Sequence, residues 1–302
     1  MVNITHKTPT LRKAIATAVV QVSSQGTIDA INNRLVPKGD VFEFARAAGL
    51  LAIKKTSDVI PDCHPLPVEY ASITYNIDQL ALYISVEVHT IYKTGVEVEA
   101  MHGAAVTALV IYDMLKPIDH HVEILHIRLQ EKTGGKTDLG TAGKKSLTSS
   151  VIVCSDSISN GKGMDTAGKS VVNILQSYLS PAPEYRIIAD DFDTIQTSLK
   201  EAVSKNTDLV IFTGGTGLSK RDLTPDAVEP LIERSIPGIM ETARSYGQSR
   251  TRYAMLSRGV AGFINDTLVL TLPGSQKGAE ETMQAIFPQL LHVFEVREGG
   301  RH

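Results

Sequence analysis

The sequence predicts two domains of different class: an α+β half, then an α/β half built on a doubly wound, mostly parallel sheet. Three observations predict this. Residues 132–150, "KTGGKTDLGTAGKKSLTSS", are Gly, Thr, Ser and Lys with a single leucine, a composition that cannot bury apolar surface. Before this segment, apolar residues alternate with period two and helical stretches intervene. After it, short continuous apolar runs alternate with helices, as buried parallel strands require. The expected divisions are a domain at 1–136, a flexible linker at 137–148 and a domain at 149–302. At 302 residues and 42% hydrophobic content, the chain can form two cores of ordinary size.

In the first half, "VFEFARAAGLLAIKK" reads as a helix at about 40–55. "ASITYNIDQLALYISVEVHTIY" (71–92) reads as two strands about the turn "NIDQ". "VEVEAMHGAAVTALVIYDMLK" (96–116) reads as a helix that Pro117 terminates, and 122–132 returns to strand alternation. In the second half, strands are expected at 150–156, "RIIADD", "DLVIFTGG" and "DTLVLTLPG", with helices at 166–179, 193–205 and 225–234. Thr224 and Pro225 read as N-cap and first helical position of the last of these helices.

Composition excludes several classes. A net charge of −3 offers no basic field for nucleic acid. Two cysteines, Cys63 and Cys154, cannot alone hold an iron–sulfur cluster or a four-thiolate zinc site, and they form no disulfide framework. The N-terminus lacks an apolar signal core, and apolar runs such as "LVIFT" fall far short of a membrane span. A cytoplasmic protein with no membrane partner is expected.

"VIPDCHPLP" (59–67) sets Cys63 and His64 between prolines. A metal there would need further ligands. His102, His120 and His121 are candidates, yet none is spaced as His-x-x-x-His, so we assign no metal and read a rigid turn that presents His64. "PKGDVF" (37–42) places Lys38 on a turn before a helix, either as a surface lysine or as one held for chemistry. "KTGVEVEA" puts Glu97 and Glu99 in a helix's first turn, where carboxylates suit the dipole. Glu99, Val106, Val110 and Asp113 share one stripe of that helix, and Lys116 follows Asp113 by three positions. The Asp113–Lys116 pair reads equally as a helix-end salt bridge or as a lysine tuned by its neighbour. Glu99 and Asp113 are separated by roughly 21 Å along the axis. One small ligand cannot touch both within one subunit, so if both act, a second copy completes the site and the protein is a homo-oligomer.

Together "PKGDVF", "IPDCHPLPV", "KTGVEVEA" and "IYDMLKPID", over about residues 1–136, resemble the MoaC family of cyclic pyranopterin monophosphate synthases. The resemblance implies a ferredoxin-like α+β fold and hexamers built as trimers of dimers. It implies rearrangement of a cyclic dihydro-GTP intermediate with release of pyrophosphate, and no cofactor. It makes Lys38 and Lys116 an acid–base pair, with Asp113 supporting Lys116. His64 joins them at the reacting groups and, with Asp62, Cys63, Val98 and Glu99, lines the substrate pocket, with Glu97 behind. Arg12, Lys38, Lys54, Lys55 and Lys116 can supply the cations a triphosphate needs. Asp62 and Val98 depart from the family's usual Leu and Met.

In the second half, "TGGTG" (213–217), "SISNGKGMDTAGKS" (157–170) and "LPGSQKG" (272–278) are three Gly-rich loops at strand C-termini, which together define a ligand crevice. "DTAG", "TGGTG", "RDLTPDA" and "LPGS", over about 149–296, resemble the molybdopterin-binding domains of the MoaB/MogA family. The resemblance implies trimers or hexamers and, in some members, adenylylation of molybdopterin with ATP and Mg²⁺. Asp190 and Asp222 match that family's catalytic carboxylates. Gly214, Gly215, Thr216, Gly217, Pro273, Gly274 and Ser275 match its binding loops. By themselves, Asp190 also reads as a strand-end turn and Asp222 as a cap near a helix start. "PGSQKG" departs from the usual Asn-Pro or Gln-Pro after "PG".

Both resemblances lead to one pathway, that of the molybdenum cofactor, and imply a bifunctional chain acting on small pterin and nucleotide substrates. Two rivals stand beside this reading. The second domain could be a pterin-binding scaffold without catalysis, or the first a metal-dependent hydrolase centred on Cys63 and His64.

Overall fold

The computed structural model of the chain describes residues 1–135, 144–297 and 299–300. The chain divides into two compact units, Met1–Thr141 and Ala142–His302.

The first unit runs β1 (Thr10–Gln21), α1 (Gln25–Asn32), α2 (Val41–Lys54), α3 (Thr56–Val59), β2 (Tyr70–Asp78), β3 (Ala81–Tyr92), α4 (Glu97–Leu115) and β4 (Glu123–Thr133). Its sheet is antiparallel throughout, in the order β2-β3-β1-β4. The β2–β3 pairing extends to Asp78↔Ala81, so the turn is Gln79–Leu80 and not "NIDQ". Gln79 takes the left-handed conformation that so short a connection needs.

β1 buries Ala14, Ala16, Ala18 and Val20, and α4 belongs to the same core through Ala100, Ala104 and Ala108. Small residues let helix and sheet approach closely. α2 and α4 meet at two glycines. A Cβ on Gly49 would lie 2.2 Å from Thr107 Oγ1, and one on Gly103 would lie 2.6 Å from Ile53. Between Glu99 and Asp113, α4 carries no Asp, Glu, Lys or Arg, so it is long and apolar enough to cross a membrane by length and composition alone, as a core helix also is, whereas no run of that length is expected from the sequence. Half of that window is buried inside the unit.

The second unit runs β5 (Lys145–Ser146), β6 (Ser149–Cys154), α5 (Asp156–Ser159), α6 (Ala167–Gln176), β7 (Leu179–Ser180), β8 (Glu184–Ile188), α7 (Phe192–Ser204), β9 (Leu209–Thr213), α8 (Thr224–Val228), β10 (Arg234–Ser235), α9 (Pro237–Gln248), β11 (Ala261–Ile264), β12 (Thr267–Leu272), α10 (Gln276–Ile286) and α11 (His292–Arg297). The main sheet has the order β10-β11-β12-β9-β6-β8. Its β12-β9-β6-β8 portion is parallel, while β10 and β11 extend it antiparallel. β6, β9 and β12 are buried at every position, because helices cover both faces. α6, α9 and α10 share one core, and α7 and α8 share the other.

Two expectations change here. The helix placed at 225–234 stops at Val228 and tightens to a 3₁₀ turn over Glu229–Leu231. Pro230 has no N–H to continue the ladder, and Arg234–Ser235 joins the sheet instead. Thr224 makes no side-chain cap; its side chain is buried against Cys154. Of the segment expected as a linker, 137–143 lies outside the described residues. Lys145 and Ser146 are not free, because β5 pairs in parallel with β7 and Leu147 packs on the adjoining core.

Candidate functional sites

In the first unit the candidate residues fall into two groups at opposite ends of α4. At the C-terminal end, Asp113 holds two ammonium groups. Gly39, with φ +104°, and the Asp40 cap of α2 shape the turn that carries Lys38. From it, Lys38 Nζ reaches Asp113 Oδ2 at 2.6 Å and the Asp113 carbonyl at 2.8 Å. Lys116 Nζ meets Asp113 Oδ1 at 2.7 Å. Lys116 first, then Lys38, pulls the Asp113 carboxyl down to about 2, and Asp113 in turn raises Lys116. Two cations sharing one anion leave net positive charge, suited to phosphate oxygens.

At the N-terminal end, Cys63 donates to Glu99 Oε1 at 3.3 Å. Glu99 is buried, and its Oε2 has no partner. Burial pushes both groups up, the Cys63 thiol to about 11 with the Glu99 carboxylate adding to the shift. His64 is half-buried beside Asp62, which pairs with the N-terminal ammonium at 2.6 Å. Arg12 Nε donates to the Tyr92 carbonyl, and Glu97 pairs with Lys132 at 3.1 Å. Arg12, Lys13, Glu97 and Lys132 line a small cleft. Val98 faces outward with Met101, Leu109 and Tyr112. Lys55 is engaged with Asp58, away from both groups' acidic residues. Among the described residues no three His, Cys, Asp or Glu side chains converge as a metal site would need.

In the second unit the loops after β6, β8, β9 and β12 meet. A Cβ on Gly214 (φ +99°) would lie 2.3 Å from the Cys154 carbonyl, and one on Gly215 (φ +60°) would lie 2.6 Å from Asp190. A Cβ on Gly217 would lie 2.8 Å from the Asp222 carboxylate. Thr213 Oγ1 donates to the Pro273 carbonyl at 2.9 Å, Gly274 abuts Gly214, and Ser275 caps α10. Thr216 is buried. Burial, with the carboxylates of Asp156 and Asp222 nearby, raises Asp190 to about 6. Asp165 of "DTAG" is structural: it accepts from Gly168 N, Lys169 N and the Tyr185 hydroxyl.

Two features had no motif to announce them. Arg258 donates to the Gly217 carbonyl (2.8 Å), the Asp222 carbonyl (2.5 Å) and both Asp226 carboxylate oxygens (2.9 and 3.0 Å). It ties the "TGGTG" loop to the "RDLTPDA" segment from more than thirty positions away in sequence. Beside these loops, a cavity of about 410 Å³ opens between α9 and α10, bordered by Thr216, Gly217, Pro273 and Ser275.

Residues 1–135 match the model of the MoaC family, and 150–292 match that of the probable molybdopterin binding domain. The chain is 35% identical over 302 residues to the molybdenum cofactor biosynthesis bifunctional protein of Chlorobaculum tepidum, covering all of this chain and 96% of that one. It is 31% identical over 315 residues to the protein of the same name from Synechococcus elongatus, covering all of this chain and 98% of that one. Its first half is 42% identical over 139 residues to the cyclic pyranopterin monophosphate synthase of Nitratidesulfovibrio vulgaris, covering 45% of this chain and 86% of that one. With both domains matched in order along the full length, the chain belongs to the family of bifunctional molybdenum cofactor biosynthesis proteins.

Proposed function

We propose that the first unit is a cyclic pyranopterin monophosphate synthase, acting on the cyclic dihydro-GTP intermediate with release of pyrophosphate. The observation that carries this is Asp113 shared between Lys38 and Lys116. Asp113 keeps Lys116 protonated, so that it carries a counter-charge for phosphate and a proton to give as charge develops on the leaving group. Lys38 shares the anion and stands where it can exchange protons with the same substrate. No cofactor enters this step. The strand order β2-β3-β1-β4 with helices between β1 and β2 and between β3 and β4 supports the ferredoxin-like reading. The alternative, a metal-dependent hydrolase centred on Cys63 and His64, would need further ligands, and no such group converges among the described residues.

The active form is a homo-oligomer, a hexamer arranged as a trimer of dimers, with first-unit sites completed across subunit interfaces. Two observations support this. The two residue groups lie at opposite ends of α4, and the outward stripe of α4, Val98, Met101, Leu109 and Tyr112, is apolar and exposed. The second unit binds molybdopterin and adenylylates it with ATP. Asp190 and Asp222 offer two carboxylates for Mg²⁺, which would supply charge neutralisation for the phosphates, and the glycine loops offer backbone N–H groups. The chain works in the cytoplasm on soluble nucleotide and pterin substrates.

Pyrophosphate release from the cyclic dihydro-GTP intermediate tests the first activity. Release by wild type but not by Lys38→Ala is expected, and no release by folded wild type overturns it. ATP-dependent formation of adenylylated molybdopterin tests the second. Binding without turnover would leave the unit a scaffold.

A further inference from the structure

The cavity between α9 and α10 is about 410 Å³, within the range of small-molecule sites. One stripe of α10, Lys277, Gly278, Glu281 and Thr282, forms one wall. Met240, Ala243 and Gly247 of α9 form much of another. Within this wall sits a carboxylate. The Glu281 side chain is 15% exposed, and its sole ion-pair partner among the described residues is Lys277 at 4.0 Å. Lys277 is itself 77% exposed and so screened by water. Glu281 accepts no hydrogen bond among the described residues, whereas its helix neighbour Glu280 accepts from both Ser170 and Gln276. The Glu281 carboxylate therefore borders the cavity, is largely enclosed and has only a distant, water-screened partner on the protein, which leaves it able to accept donors from a ligand.

Ser275 and Glu281 are six residues apart on the capped start of α10, roughly 9 Å along the axis. The phosphate-loop end and the carboxylate are therefore separated by about the length of a two-ring heterocycle with a short side chain. A 2-amino-4-oxo-pteridine presents N3–H and the 2-amino group side by side, a donor pair that a carboxylate accepts through both oxygens. We propose that Glu281 is the residue that recognises the pterin, by pairing with its 2-amino-4-oxo edge while the phosphate lies toward Gly217 and Ser275. This rests on the reading of the second unit as a pterin-binding domain.

Binding of 6-hydroxymethylpterin phosphate and of the matching lumazine, in which oxygen replaces the 2-amino group, distinguishes the two claims. Calorimetry is done on the full chain as wild type, Glu281→Gln and Glu281→Ala. Wild type is expected to favour the pterin by at least about tenfold, since the lumazine turns an acceptor toward the carboxylate. Glu281→Gln, which offers one donor and one acceptor, should favour the lumazine. Glu281→Ala should bind both weakly and without preference. A reversed preference in Glu281→Gln is not the signature of a merely structural residue. If wild type binds both compounds equally and the variants leave that ratio unchanged, Glu281 is not the reader, although the cavity still binds pterins. If folded wild type binds neither, the pterin reading of the second unit falls and this inference falls with it.

Discussion

The ammonium of Lys38 and the carboxylate of Asp113 lie 2.6 Å apart although 75 positions separate them in the chain. The turn before α2 and the last turn of α4 are therefore held in register by a charge pair, and Lys116 joins from the other carboxylate oxygen.

Asp113→Asn is expected to slow pyrophosphate release by roughly 100-fold or more. Asp113 raises Lys116, so its ammonium persists to higher pH in wild type. In the variant, activity should fall off at lower pH on the basic side of the profile. Asp113 itself is held down to about 2, so it should contribute no titration between pH 5 and 9. Lys116→Ala should abolish turnover with the fold retained. A basic limb that stays put in Asp113→Asn would remove the charge coupling from the mechanism.

Burial and the Glu99 carboxylate hold the Cys63 thiol up at about 11, and burial holds Cys154 up at about 12. Native protein should therefore alkylate slowly with iodoacetamide at pH 8, because the thiolate is the nucleophile. Glu99→Gln removes the anion and should speed labelling of Cys63 alone, read by peptide mass spectrometry.

Asp190 is raised to about 6, with burial as the main cause. The folded state then binds more protons than the unfolded chain between about pH 4 and pH 6, and stability falls as pH rises through that window. Asp190→Asn should leave hydrogen exchange in β9 and β12 unchanged near pH 4. At pH 7.5 it should increase protection by on the order of 1 kcal/mol, a value discounted because the carboxylate is only half-buried. Millimolar Mg²⁺ should protect wild type at pH 7.5 and leave the variant unchanged.

Arg258→Ala should cost the second unit about 2 kcal/mol, since it strands two carbonyls and the Asp226 carboxylate. Arg258→Lys should recover less than half of this, because an ammonium cannot bridge three acceptors with a planar fork. Urea titration followed by exchange in the Gly214–Gly217 loop measures both.

Leu109→Glu, on the outward stripe of α4, should shift the sedimenting species toward monomer and lower pyrophosphate release in parallel. Monomeric wild type with full activity would end the shared-site proposal.

Much of this was legible because two periodicities were clear. α4 and the β2–β3 hairpin follow from alternation, and β6, β9 and β12 from uninterrupted apolar runs. β1 was hidden, although it is the strand that pairs with both β3 and β4. Its buried face is Ala14, Ala16 and Ala18, residues with little strand preference that are selected here by the closeness of α4. The antiparallel pair β10 and β11, separated in the chain by α9, was hidden by the shortness of both strands. Cys63 and Glu99 were each visible as motif residues, but their contact was not, because the pairing depends on where the 60s loop crosses α4. Arg258 and Glu281 stand outside the motifs that carry the resemblance, and nothing in local spacing marks them. Their roles arise from long-range juxtaposition.

The pairing of β1 with β4 sets an order of events in synthesis. Residues 13–21 find their partners only at 123–133, so one flank of the strand made first stays open until nearly the whole unit has been translated. An unpaired strand flank is a template for the wrong neighbour, and closing so long a loop slows folding. The nascent chain therefore carries an open strand flank until residue 133 emerges, an interval in which shielding of that flank favours native pairing.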